Sequence, residues 1–189
     1  MMEWYNDSEL FNNLMEALSD YGEKVAETYK QRLERDGKRA SGDLINSVKP
    51  LVAYKAQGGE FDVFLQMEDY WKYVEKGLKG RGKRRNNSES PFPAPENWKG
   101  AAWYILNWIR EKGISPRPDE KGKLPTEEQL SYAIARSIND DGVKAGNQLR
   151  DTLQNVNAVY LPKLQEALEK DWEDLSYKIW ADIGKMVKI

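Results

Sequence analysis

Cysteine and histidine are both missing from this chain of 189 residues. Without cysteine there is no disulfide, no thiolate nucleophile and no Cys/His zinc site. Without histidine the chain lacks the side chain best suited to exchange protons near neutral pH, which removes triads built on it. Metal ligation falls to carboxylates and carbonyls, and the sequence does not set them up. Asn139-Asp140-Asp141-Gly142 lacks the alternating ligands and closing glutamate of a calcium loop, and Gly142 reads better as a helix C-cap. A carboxylate pair for acid/base or two-metal hydrolysis finds no supporting spacing. No catalytic, metal or cofactor residue is therefore assigned, and an enzyme is not expected. No apolar run approaches the ~20 residues that span a bilayer, and Met1-Met2-Glu3-Trp4 has neither a basic n-region nor an apolar h-region, so a soluble protein made in the cytoplasm is expected. Excess charge is absent too: 29 basic against 31 acidic residues give a net charge of −2. That balance argues against bulk nucleic-acid binding and leaves local basic patches as the only phosphate ligands.

What is present is strongly patterned. At this length folding buries roughly 70% of the extended surface, enough for one real core. Leu10, Leu14, Leu18, Tyr21, Val25, Tyr29 and Leu33 recur at spacings of three and four, the mark of a long first helix with Asp7 or Ser8 as N-cap and Gly37 as its stop. Phe61, Val63, Leu65 and Met67 then alternate with Asp62, Phe64 and Gln66, a strand with one buried face. Gly58-Gly59 supplies the turn to an antiparallel partner over Val48–Tyr54, in which Pro50 demands an edge position or a start near Leu51. A short helix carrying Tyr70, Tyr73 and Val74 stops at Gly77.

Further on, Asn97–Lys112 reads as a helix stopped by Gly113. Trp98, Trp103 and Trp108 lie five apart on it, about 140° from one another around the axis, so at least one must face a neighbour. Thr126-Glu127-Glu128-Gln129 is a capping box for a helix that turns Leu130, Ala133, Ile134 and Ile138 inward and ends at Gly142. The last region reads as two helical pieces. Lys144–Asn155 comes first, and a second follows with Pro162 near its start. The second carries a stripe of Leu164, Leu168, Trp172, Leu175, Ile179, Ile183 and Met186, which either packs on the first helix or reaches to another subunit. The fold class is α+β: a long N-terminal helix, a small antiparallel sheet, and several further helices including a long C-terminal one.

Charge concentrates at one place. Lys79, Arg81, Lys83, Arg84 and Arg85 put five positive charges into seven residues, running into a Pro/Asn/Ser-rich loop to residue 95. Such a segment suits non-specific phosphate contact, which needs charge more than fixed geometry. The Gly-x4-Gly-Lys-Ser/Thr spacing of a P-loop is not there.

Ala40-Ser41-Gly42-Asp43-Leu44-Ile45-Asn46-Ser47-Val48, the strand Phe61–Met67, and Asp69-Tyr70-Trp71-Lys72-Tyr73-Val74-Glu75-Lys76-Gly77 follow one another in an order that resembles the neck (tail-completion) proteins of tailed bacteriophages. Trp108-Ile109-Arg110-Glu111-Lys112-Gly113-Ile114 and Ile134-Ala135-Arg136-Ser137-Ile138-Asn139-Asp140-Asp141-Gly142 extend the resemblance to larger members, over about residues 9–142. It implies a neck-like α+β domain over residues 1–143 with a basic loop at 79–95, and a C-terminal helical region over 144–189 that packs on the domain or on a neighbouring subunit. It implies a structural role for Tyr73, Val74, Glu75 and Gly77. The function it implies is a homo-oligomeric ring in the virion neck, joining the portal or its adaptor to the tail around an axial DNA channel. Its expected partners are portal, adaptor or tail proteins, with possible non-specific contact to genomic DNA and no membrane. Lys79, Arg81, Lys83, Arg84 and Arg85 are the expected contact to DNA or an acidic partner; Trp98, Trp103, Trp172 and Trp180 are the expected subunit interface. The alternative is a monomeric nucleic-acid-binding protein that uses the basic loop and the exposed aromatic rings.

Overall fold

The computed structural model describes residues 11–37, 42–55, 59–82, 90–118 and 120–186. The fold is α+β: α1 (Asn12–Arg35), α2 (Asp43–Ser47), β1 (Lys49–Lys55), β2 (Glu60–Gln66), α3 (Trp71–Lys76), β3 (Leu78–Lys79), α4 (Trp98–Glu111), α5 (Glu127–Asp141), β4 (Gly142–Val143) and α6 (Gln148–Met186). It divides into two compact units, the first made of residues 1–31, 48–66 and 150–189, the second of 32–47 and 67–149. Among the described residues no helix is long and apolar enough to cross a membrane.

In the first unit the expected face of α1 is the buried one. Leu14, Leu18, Val25 and Tyr29 are inside, joined by Ala26. Leu10 and the two N-cap candidates, Asp7 and Ser8, lie outside the described residues. β1 and β2 pair antiparallel in the register Lys49↔Gln66 to Lys55↔Glu60, with Pro50 opposite Leu65. A two-stranded sheet has only edges, so Pro50 fits without loss of a required ladder bond. Gly22 explains how the sheet reaches the helix. A Cβ there would lie 3.1 Å from Pro50 Cβ and 3.2 Å from Val63 Cγ1. A mid-helix glycine costs about 1 kcal/mol in propensity, and here it lets the two backbones close on each other. Phe61 fills the end of this layer, in ring contact with Tyr54 at 4.8 Å and Phe11 at 5.5 Å.

α6 corrects the reading of two helical pieces. It is a single helix of 39 residues with Pro162 inside it. Proline removes one main-chain hydrogen bond and crowds the carbonyl four residues earlier, here that of Ala158. Ala158 is exposed, so water can serve that carbonyl, and the helix runs through. α6 packs on α1 in an antiparallel sense: Asp171 meets Asn13 and Leu14, while Tyr21 Oη donates to Asn157 Oδ1 and its ring contacts that of Tyr160.

In the second unit, α2 buries Leu44 and Ile45 and is tied to the start of α3. Leu44 N–H donates to Tyr70 Oη at 2.8 Å, and Ser47 Oγ accepts from Glu68 N–H at 3.0 Å. α3 ends at Gly77 (φ 66°), as expected. α4 and α5 form a hairpin in which Asn97 caps α4 and Thr126–Gln129 is a complete capping box. Its seam is made of Ala102 and Ile109 from α4 against Ser131, Ala135 and Asn139 from α5. The expected inward set on α5 is thus shifted: Leu130, Ile134 and Ile138 are half-buried at the rim and Ala133 is exposed. Small side chains at i, i+4 and i+8 allow a closer approach than the bulkier ones beside them.

Candidate functional site

The basic segment begins inside the fold. Leu78 and Lys79 pair with Val143 and Gly142, and on the other side Lys79 N–H donates to Phe92 O while Ala94 N–H donates to Lys79 O. Arg81 and Gly82 then donate their backbone N–H groups to Asn139 O and Asp140 O at 2.7 and 2.8 Å, closing carbonyls that α5 leaves open at its end. Gly80 and Gly82 are required by contact: a Cβ on Gly80 would lie 2.5 Å from Asp141 C, and one on Gly82 would lie 2.6 Å from Asp140 O. The glycines between the charges are therefore a packing device.

Of the five expected basic contacts, Lys79 is half-buried in the β3 strand and Arg81 is engaged. Arg81 Nε donates to Ala94 O at 2.7 Å, and a terminal nitrogen lies 3.5 Å from Glu96. Lys83, Arg84 and Arg85 lie outside the described residues. Ser90 is buried and donates Oγ–H to Gly77 O. The described residues on both sides of 83–89 are thus held by hydrogen bonds within the second unit.

The four expected interface tryptophans fall into three environments. Trp98 is half-buried and meets Tyr132 edge to face at 6.4 Å. Trp103 is 61% exposed and contacts Tyr104, itself 71% exposed, at 5.0 Å. Trp172 touches Phe11 at 6.3 Å yet remains 56% exposed, and Trp180 is 70% exposed. The pairwise ring geometries are edge-on, the favoured arrangement for aromatic quadrupoles.

The stripe on α6 divides at Asp171. Before it, Leu164 and Leu168 are half-buried; after it, Leu175 is half-buried, while Ile179 and Ile183 are exposed alongside Trp172 and Trp180. The side chain of Met186 lies outside the described residues. Two surfaces escaped sequence reasoning. One is the outer face of the sheet, where Leu51 and Phe64 sit opposite each other and are both exposed. The other is an open apolar cavity of about 490 Å³ along α1 and α6, lined by Leu14, Leu161, Pro162, Leu164, Gln165 and Leu168. The β2 alternation did place Phe64 outward, but nothing local marks Leu161 as a groove wall.

Glu128 is held below its ordinary range by its own backbone N–H, then by Thr126 and the Arg110 charge; Asp36 is held low by Arg35 and Gln148. Burial pushes Tyr21 up. Among the described residues no group of three acidic side chains is placed to hold a metal ion. Comparison with protein-family models, with curated proteins and with solved structures gives no match, so any reading of this chain's role rests on the surfaces described above.

Proposed function

We propose that this chain is a structural protein of a tailed-bacteriophage virion, forming a homo-oligomeric ring in the neck that joins the portal or its adaptor to the tail around the DNA channel. The observation that carries this reading is the unburied apolar face of α6 after Asp171 in the first unit; in the second unit Trp103 and Tyr104 on α4 are exposed as well. Aromatic and aliphatic side chains exposed in such number mark association surfaces more often than solvent-facing ones. The order of elements agrees with the resemblance: long first helix, strand pair, short helix closed by glycine, helical hairpin, long last helix. The basic excursion after Gly82 would face DNA or an acidic ring above or below. In this role the chain needs no catalytic residue or cofactor.

Multi-angle light scattering and negative-stain imaging of the purified protein, alone and with DNA, test this. Large closed rings with an axial opening are expected. A monomer at all concentrations that retards nucleic acid at low salt would instead favour the binding-protein alternative, for which the exposed Trp103–Tyr104 pair would be the stacking platform.

A further inference from the structure

The terminal stripe and the leucine-lined groove lie on the same helix, and neither can fill the other within one chain. α6 is continuous through Pro162, so Trp180 stands 18 residues farther along a single axis, about 27 Å away. The groove has an apolar floor in Leu14, Leu164 and Leu168 and a wall in Leu161, which is 61% exposed. The stripe offers what such a groove takes: Trp172, Ile179, Trp180 and Ile183 are 56%, 46%, 70% and 43% exposed. Tryptophan is enriched among the buried anchors of interfaces.

Building on the ring reading, we propose that the Trp172–Ile183 stretch of α6 in one copy seats in the α1–α6 groove of the next copy. The two patches differ, so the contact is head-to-tail, and each copy both gives a stripe and receives one. Repetition of such a contact makes a ring when the rotation closes. Partly exposed aromatic and branched side chains of this size cover on the order of 500 Å² on each side. That is about 1,000 Å² in total, the area at which specific interfaces begin. Ser176 lies within the stripe, one helical turn from both Trp172 and Trp180, and Gln165 lines the groove.

The chain contains no cysteine, so single cysteines report this contact without background. Two preparations, one Gln165→Cys with a mass tag and one Ser176→Cys without it, are mixed and treated with a short bismaleimide. A mixed Gln165–Ser176 linked dimer is expected, with neither preparation linking to itself. The link should be lost when Trp180→Ala and Ile183→Ser are added to the Ser176→Cys chain, with helix content unchanged by circular dichroism. Oligomers that give no mixed link, or only links of like to like, overturn this seating while leaving ring formation standing. A protein that stays monomeric at every concentration overturns both.

Discussion

Asp171 is the buried carboxylate on which the first unit most depends. It is 3% exposed, and its oxygens accept from Leu14 N–H at 2.8 Å, Asn13 N–H at 3.1 Å and Asn13 Nδ2 at 2.8 Å. It thereby caps the N-terminus of α1, where free N–H groups and the positive end of the macrodipole favour an anion. Asp171→Ala leaves two main-chain donors of the first turn without their acceptor, at about 1–3 kcal/mol each. We expect a total loss of about 3 kcal/mol, at the upper end for a capping residue because the site is buried. Asp171→Asn keeps one acceptor oxygen but loses the charge, and should cost about 1 kcal/mol. Urea unfolding followed by tryptophan emission measures both, since Trp172 adjoins the site. With a slope near ~2 kcal/mol/M, the alanine midpoint should fall by about 1.5 M and the asparagine midpoint by about 0.5 M. If alanine shifts the midpoint no more than a surface substitution does, or if asparagine is as damaging as alanine, the capping argument is wrong.

Further outcomes follow from the same geometry. Gly80→Ala and Gly82→Ala drive a methyl group into the Asp140–Asp141 backbone and should each destabilise the second unit by about 3 kcal/mol, read as lost amide-exchange protection at Arg81 and Gly82. Arg81→Ser removes the bond to Ala94 O and should cost about 1 kcal/mol. Replacing Lys83, Arg84 and Arg85 together with serine should leave the melting temperature unchanged while weakening DNA retention, most at low salt. Equal thermal effects of the Arg81 and triple variants would contradict that division. Glu128 and Asp36 have folded pKa values below their unfolded ones, so what they add is complete above the ordinary carboxylate range and lost as pH falls through the lower folded values. With no histidine in the chain, the unfolding midpoint should be flat from about pH 5 to 8 and fall below about pH 4. A slope between pH 5 and 8 would show that some other group is involved.

How much of this was legible in the sequence depends on whether a feature is local. The α1 face, the β2 alternation, the capping box at Thr126 and the helix stops at Gly37, Gly77, Gly113 and Gly142 all express short-range rules, and all appear in the structure. Pro162 misled because a proline penalty is local, whereas the packing that carries α6 past it comes from α1, more than a hundred residues away. The inward face of α5 was misjudged because hydrophobicity favours Ile134 and Ala133, while close packing against Ala102 and Ile109 selects Ser131 and Ala135. Gly80 and Gly82 read as flexible punctuation between charges. Their alternation along an extended segment, which turns both toward one neighbouring backbone, was the available signal. For the candidate site, spacing showed that Trp98, Trp103 and Trp108 could not share one face, and Trp103 is the exposed one of the three. The groove was not legible, since it exists only where two helices meet.

The two long helices share a dependence. α1 takes its N-terminal anion from Asp171, and α6 takes the Glu75 carboxylate at Leu149 N–H, with Gly146 and Asn147 N–H groups held by the carbonyls of Val74 and Glu75. During synthesis the two caps arrive in opposite order. Glu75 is already made when α6 begins to emerge, so that helix can start on a finished anchor. α1 waits for a residue 157 positions downstream of the amide it caps. Its first turn is completed only after Asp171 has left the ribosome, and bonds of such separation form late and slowly. The floor that Leu14 gives to the groove is therefore set at the same late step.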